Sequence, residues 1–189
     1  MSVPEALQSG ARVFIRRPVL GDCDEYCMVR RRSRAFHEPW EPTPAAGFDP
    51  YSKEAFRHFV AGADAPNRER FFVCRSDTGA IVGNINANEI VRGCFQSAFL
   101  GYWVDADAAG SGYMTEGLQL VLRHAFTVLD LHRLEANIQP HNHASIALVK
   151  RCGFVLEGRS PRYLKIGGVW SDHERFAITI EDWQANASA

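Results

Sequence analysis

Apolar residues recur along the chain with the period of a helix in some segments and that of a strand in others. The longest segment with helical spacing gives the clearest pattern. From residue 118 to residue 129 the apolar positions are spaced by three and four residues, which places their side chains on one helix face. The following segment, "RLEANIQ", alternates Leu134, Ala136 and Ile138 with polar residues and so predicts a strand. The next, "PHNHASIALVKRCGF", predicts a helix that Gly153 ends.

The rest of the chain divides into short strands, two further helices and one irregular stretch. "RVFIRR" predicts a strand, while "GDCDEYCMVRRRSRAF" and "SKEAFRHFVAG" predict helices, the second capped by Ser52. Four prolines exclude regular structure from "HEPWEPTPAAGFDP". One hairpin is expected around "DTG" and a final one around Gly167–Gly168, with the strand "SAFLGYWVD" between them. This order predicts an α/β (α+β) domain with a mixed, mostly antiparallel sheet flanked by helices.

Composition and charge narrow the function classes. A chain of 189 residues is long enough for one domain with a full core. Its formal net charge of −1 gives no global attraction to nucleic acid or membrane, and it has no apolar run long enough to span a bilayer. The five cysteines are odd in number and form no C-x-x-C pair, which favours a reduced, cytoplasmic setting. His141 and His143 lack a third ligand at suitable spacing, so no metal site is predicted.

The segment "YWVDADAAGSGYMTEGL" places Gly110 and Gly112 between a predicted strand and the long helix. Glycines at a helix start leave the first-turn N–H groups accessible, and those groups and the helix dipole favour an anion such as a pyrophosphate. A dinucleotide fingerprint would need a third glycine where Thr115 stands, and a phosphate-loop Gly-Lys-Ser/Thr is absent. On its own this pattern is equally compatible with a simple turn.

Five segments taken together give more specific evidence about function than the two glycines alone. "LGYWVDADAAGSGYMTEGL", "PHNHASIALVKRCGFVLEG", "YLKIGGVWSDH", "PWEP" and "NEIVRGCF" occur in the order of the GNAT N-acetyltransferases and most resemble the RimJ/RimL type, which acetylates protein N-termini. The resemblance covers about residue 12 to Trp183. It implies one N-acetyltransferase domain over residues 12–183, tails at 1–11 and 184–189, and acetyl-CoA as the cosubstrate.

The resemblance also implies which residues bind acetyl-CoA. The pantetheine arm is expected along the strand before the glycines, the pyrophosphate on the glycine turn and helix start, and further contacts at the N-x-x-S motif. The expected cofactor-binding residues are Tyr102, Trp103, Val104, Gly110, Ser111, Gly112, Tyr113, Met114, Thr115, Asn142 and Ser145. Ser145 is also a catalytic candidate, as a hydrogen-bond donor to the departing CoA thiolate. A purely structural alternative makes Asn142 an N-cap and Ser145 a first-turn residue.

Two positions depart from the family pattern. Asp107 stands where a polar or basic residue usually begins the glycine turn, so we expect its carboxylate to face solvent. Arg162 stands where RimL-like relatives carry a carboxylate before the tyrosine of "YLKIGG". The general base is therefore uncertain among Glu116, Glu135 and Asp172. Asp172 is the preferred catalytic candidate, as an orienting or proton-relay group, with a structural hydrogen bond as its alternative.

The sequence thus predicts an enzyme that acetylates the N-terminal α-amine of a protein or peptide, a ribosomal protein being one candidate. Two alternatives stay open, a GNAT that acetylates a small amine and a non-catalytic module that binds CoA. Neither a nucleic acid nor a membrane is expected as a partner, and the oligomeric state is open.

Overall fold

The computed structural model of the protein describes residues 5 to 62 and 65 to 187. The strands are β1 (Gln8–Ser9), β2 (Val13–Arg16), β3 (Glu69–Arg75), β4 (Ile81–Val91), β5 (Ser97–Val104), β6 (Arg133–Ile138), β7 (Val155–Ile166) and β8 (Val169–Thr179). The helices are α1 (Cys23–Arg32), α2 (Arg34–His37), α3 (Lys53–Ala61), α4 (Tyr113–Thr127), α5 (His143–Arg151) and α6 (Ile180–Ala187).

The strands form one mixed sheet in the order β1-β2-β3-β4-β5-β6-β8-β7. Neighbouring strands in the described sheet are antiparallel except β5 and β6, which run parallel. The chain from β5 to β6 passes through α4, as a parallel crossover requires. The predicted fold class, a mostly antiparallel mixed sheet flanked by helices, is confirmed.

Each face of the sheet is covered by a different group of helices. The apolar stripe of α4, with Leu118 and Leu122 fully buried, packs against β2, β3 and β4, and α5 lies beside α4. On the opposite face α1 and α3 pack together, and their aromatic rings Tyr26 and Phe56 meet Phe72 of β3. Helices therefore cover both faces of the sheet around β3 and β4.

Most elements lie where the sequence predicted them. The α3 helix begins after Ser52, whose hydroxyl accepts a hydrogen bond from the Ala55 N–H at 3.1 Å, so the predicted cap is confirmed. The sequence analysis missed β1 and α6, because a two-residue strand has no periodicity and α6 follows β8 without a turn. These elements extend the folded region beyond the predicted limits of residues 12 and 183. Among the described helices none is long and apolar enough to cross a membrane.

The side chain of His124 is an unusual feature of the main core. It lies in α4, is almost fully buried, packs edge-on against Phe71 at 5.3 Å between ring centroids, and has no hydrogen-bond partner for either ring nitrogen among the described residues. Burial lowers the pKa of His124, so the imidazole is neutral in the fold.

This burial predicts a pH-dependent stability. The unfolded chain protonates His124 below about pH 6.5, whereas the folded chain resists protonation, so stability falls as pH drops from about 6.5 toward the lowered folded-state pKa. We expect His124→Phe to be more stable by about 1 kcal/mol at pH 8, since a buried polar group without partners is removed. The gain should be larger at pH 5.5.

Urea unfolding at both pH values measures this difference. The matched control is His58→Gln, which removes an exposed histidine and should leave the pH dependence as in the wild type. An equal stability change for His124→Phe at both pH values would contradict the account.

Candidate functional site

A cavity of about 1190 Å³ lies between the start of α4, the second half of β5 and the start of α5. It is the place where most of the sequence-predicted site residues meet. Those lining it are Tyr102, Trp103, Val104, Gly110, Gly112, Met114, Thr115, Asn142 and Ser145. Ser111, Tyr113 and Asp172 are absent from the described lining.

The glycine turn has the backbone that its residue types predict. Gly110 and Gly112 have φ of 75° and 81°, in the left-handed region that favours glycine. Gly112 is the N-cap of α4, and because glycine has no capping side chain, the first-turn N–H groups stay available to an anion. The Ser111 N–H already donates to the Ala108 carbonyl at 3.4 Å, so it contributes less to such a site than the sequence suggested.

Arg12 supplies a positive charge at this turn that the sequence analysis did not identify. Its Nη1 donates to the Ser111 carbonyl at 3.0 Å, its Nε donates to Glu116 Oε2 at 3.2 Å, and its guanidinium lies 5.2 Å from the Tyr113 ring centroid. Arg12 immediately precedes β2 and lies 104 residues before Glu116 in the chain. Nothing in the local sequence of Arg12 indicated this position.

The unusual acidic residue of the turn points away from the cavity. The Asp107 side chain is 74% exposed and lies 3.4 Å from Arg32 Nε. The expectation that Asp107 faces solvent is confirmed, and Arg32 partly offsets its charge.

The strands β5 and β6 separate beside the cavity. They pair over only three residues, Ser97–Phe99 against Arg133–Glu135, and then diverge in the described sheet. Residues 101–104 of β5 stay paired with β4 on their other side and line the cavity at Tyr102, Trp103 and Val104. The edge of β5 that turns toward β6 can therefore bind an extended ligand by backbone hydrogen bonds.

Two hydroxyl groups meet on the α5 side of this gap. Tyr102 and Ser145 share a short hydrogen bond between their side-chain oxygens. Burial raises the pKa of Tyr102 to about 12, so its phenol stays protonated at neutral pH. The Asn142 side chain accepts a hydrogen bond from the Ser145 N–H at 3.1 Å and caps α5. Ser145 is thus held by Tyr102 and Asn142, and it lines the cavity.

Part of the cavity wall is formed by residues that the sequence analysis did not identify as site residues. They belong to α2, to the proline-rich segment after it and to the loop before α5, and they are Phe36, His37, Trp40, Glu41 and His141. Trp40 and His141 approach each other across the opening, with ring centroids 5.1 Å apart. The motif "PWEP" was the available clue, since it was part of the family resemblance.

Comparison with known proteins identifies the family. Residues 12–155 match the model of the acetyltransferase (GNAT) domain. The chain belongs to the GNAT acetyltransferase family.

This GNAT acetyltransferase is 33% identical to the ribosomal protein uS5-alanine N-acetyltransferase of Escherichia coli (strain K12) over 184 residues, which cover 96% of this chain and 95% of the relative. Mycobacterium smegmatis RimJ in complex with CoA-disulfide superposes with a TM-score of 0.83 at 32% identity, over 90% of this chain and 83% of that one. The spermidine N(1)-acetyltransferase of Vibrio cholerae is more distant, 26% identical over 139 residues that cover 74% of this chain and 77% of the relative. The chain is therefore an N-acetyltransferase of RimJ/RimL type.

Asp172 of this acetyltransferase lies in a smaller cavity of about 410 Å³ that shares His141 and His143 with the large one. Its carboxylate accepts hydrogen bonds from the Arg162 N–H at 2.8 Å and from Arg159 Nη2 at 2.7 Å. These bonds lower the pKa of Asp172 and hold the bulge in β7 where Arg162 has φ of 50°. Asp172 thus has a structural task, and its catalytic part stays a prediction.

Glu116 and Glu135, the other two candidates for the general base, also have hydrogen-bond partners. Burial opposes ionisation of Glu116, but the N–H groups of Arg12 and Val13 and the Arg12 side chain all donate to its carboxylate and lower its pKa. Glu135 accepts from Arg133 Nε at 2.9 Å, at the last β5–β6 pair. Within the described residues no group of three or more His, Cys, Asp or Glu side chains is arranged to hold a metal ion.

The glycine turn generates a first prediction about CoA. A β-carbon on Gly112 would lie 3.0 Å from Arg12 Nη2 and project into the turn, in addition to the strain at its positive φ. We expect Gly112→Val to weaken CoA binding at least tenfold in calorimetry. The control is Gly79→Val, which has a similar φ of 74° in the β3–β4 turn and no described neighbour within 4 Å of the added carbon. Equal losses in the two variants would contradict the assignment.

The hydroxyl pair generates a second prediction. If the Ser145 hydroxyl donates to the departing thiolate, Ser145→Ala removes a bond that exists only in the transition state. We expect kcat and kcat/KM to fall alike, by about tenfold or more, with CoA affinity within about twofold of the wild type. Steady-state kinetics together with calorimetry measure both quantities. A wild-type kcat in Ser145→Ala would leave Ser145 with its structural task alone.

Proposed function

We propose that the protein transfers an acetyl group from acetyl-CoA to the N-terminal α-amine of a protein or peptide. The observation that carries this proposal is the pairing of the candidate carboxylates with arginine side chains. Glu41, Glu135 and Asp172 contact Arg30, Arg133 and Arg159 respectively. None of these three carboxylates is therefore without a guanidinium partner. Such a site favours an acceptor amine that needs little help to lose its proton.

The free energy of deprotonation differs strongly between the possible protein acceptors. An α-amine with pKa of about 7.7–8.0 costs roughly 1 kcal/mol to neutralise at pH 7. A lysine with pKa near 10.4 costs roughly 4.6 kcal/mol, so its neutral fraction is about one in 2,500, roughly a few hundredfold smaller than that of the α-amine. Without a strong enzyme base, this difference favours the N-terminus over an internal lysine.

The cavity fits acetyl-CoA by several independent features. The uncapped start of α4, with Gly112 and Arg12 beside it, would hold the pyrophosphate, and the β5 edge at residues 102–104 would hold the pantetheine arm. When bound, acetyl-CoA supplies the acetyl group as a thioester. Backbone N–H groups of β5 would orient the thioester carbonyl, and the Tyr102–Ser145 pair would supply a hydrogen-bond donor to the sulfur.

A small polyamine is the second candidate acceptor. It is favoured by the V. cholerae spermidine acetyltransferase among the relatives and by the acidic side chain of Glu41 in the cavity wall. The E. coli relative that acts on ribosomal protein uS5 is more similar and covers nearly the whole chain, which supports a protein N-terminus.

The proposal is tested with three acceptors at pH 7, each with acetyl-CoA. They are a hexapeptide with an N-terminal alanine, the same peptide N-blocked and carrying one lysine, and spermidine. We expect acetylation of the first and at least a hundredfold lower kcat/KM for the second. The rate on the first should rise with pH and level off near the pKa of the peptide amine, since no enzyme base dominates. Equal acetylation of the blocked peptide, or turnover of spermidine alone, would contradict the proposal.

A further inference from the structure

The "PWEP" segment contributes Glu41 to the wall of the large cavity. Two acidic side chains, Glu41 and Glu116, line the cavity among the described residues. Glu116 is bound to Arg12 at the glycine turn, where phosphate is expected. Glu41 is paired with Arg30 instead, and Trp40, the residue before it, lines the cavity as well.

Glu41 is held rigidly beside the β5 edge by a buried network. Its carboxylate lies 2.7 Å from Arg30 Nη1 and accepts a second bond from Nη2 at 3.0 Å. Arg30 Nη1 also donates to His37 Nδ1 at 2.7 Å, which leaves His37 Nε2 to donate to the Val104 carbonyl at 2.7 Å. Glu41 is therefore connected through two side chains to the backbone of the diverging segment of β5.

The carboxylate keeps capacity for a ligand. Each carboxylate offers about four acceptor positions, and Arg30 occupies only two of them. The Arg30 side chain is 6% exposed and the Glu41 side chain 29%, so the pair is buried on the arginine side and open on the glutamate side. A hydrogen-bond donor that enters the cavity meets the open oxygens of Glu41.

The cavity lining carries groups of both charges, which suits two substrates of opposite charge. Arg12, Arg123 and Arg151 line it together with the glycine turn, which suits the anionic phosphates of CoA. Glu41 and Trp40 also line it, and a carboxylate and an aromatic ring both attract an ammonium group.

We propose that Glu41 is the residue that binds the acceptor amine, accepting a hydrogen bond from its N–H and aiming the nitrogen at the thioester carbonyl. This inference rests on the proposed function for the identity of the acceptor. In this role Glu41 keeps its contacts with Arg30 and acts on the amine only as a hydrogen-bond acceptor. The ammonium loses its proton to solvent, and the neutral amine keeps two N–H groups, one of which stays bonded to Glu41.

A double-mutant cycle between enzyme and ligand tests this role without turnover. The two ligands are the alanyl hexapeptide and the same peptide with propionyl in place of the alanyl residue, which removes only the amine. Calorimetry in the presence of CoA measures both affinities in the wild type and in Glu41→Gln. In the wild type we expect the alanyl peptide to bind at least tenfold more tightly than the propionyl peptide. In Glu41→Gln this ratio of affinities should fall to about threefold or less, with the affinity for the propionyl peptide unchanged.

A purely structural role for Glu41 would weaken both peptides equally and preserve the tenfold ratio, which would overturn the proposal. The matched control is Glu116→Gln, which removes the other carboxylate of the cavity, the one bound to Arg12; it should weaken CoA binding and leave the peptide ratio as in the wild type. If Glu41→Gln does not fold, Glu41→Asp keeps the charge and withdraws it by one methylene. That variant should also lower the ratio, and an unchanged ratio would overturn the proposal as well.

Failure of the proposed function gives a different pattern from failure of this inference. If the wild type acetylates spermidine and not the alanyl peptide, the peptide assignment fails, and the cycle is repeated with spermidine and N-propyl-1,4-diaminobutane, which lacks one terminal amine. If Glu41→Gln loses the preference for the ligand that carries the terminal amine, the result supports the role of Glu41 with a polyamine acceptor. If Glu41→Gln keeps that preference, the proposed role of Glu41 is overturned whichever acceptor is used.

Discussion

The separation of β5 from β6 is the constraint on which the rest of the site depends. After three residue pairs the two strands diverge, and the backbone of residues 101–104 is left with one side facing a cavity instead of a neighbouring strand. Buried backbone groups need partners, so an exposed edge inside a fold is stable only if something else bonds to it. His37 does so at the Val104 carbonyl. An extended ligand can bond to the remainder.

The chain segments that follow β5 and β6 place the other parts of the site beside this edge. The chain leaves β5 through the glycine turn into α4, so the uncapped helix start follows directly from the diverging strand. After β6 the chain enters α5, whose first turn brings Ser145 to Tyr102. One irregularity in the sheet thus brings together a site for an anion, a backbone edge and a pair of hydroxyl groups. The Arg30–Glu41 pair is connected through His37 to Val104, the last residue of that edge.

The parts of this arrangement that depend on neighbouring residues in the chain could be predicted from sequence. The α4 periodicity, the glycines at its start, the cap of α3 and the final hairpin all arise from local backbone preference and side-chain spacing. The parts that depend on contacts between distant segments could not. Arg12 reaches the turn across about 100 residues, and His37 reaches Val104 across 67. Asp172 was expected near the reaction on the strength of its hairpin position, and its bonds to Arg159 and to the bulge at Arg162 emerge only from the register of β7 and β8.

The most direct measurement is a crystal structure of the protein with acetyl-CoA. The account predicts pyrophosphate oxygens within hydrogen-bond distance of the first-turn N–H groups of α4. It also predicts pantetheine amides bonded to the backbone of residues 102–104, with the acetyl group directed toward Glu41 and the sulfur near Ser145. A complex in which the pyrophosphate lies away from the start of α4, or in which β5 and β6 close together and the cofactor binds elsewhere, would contradict it.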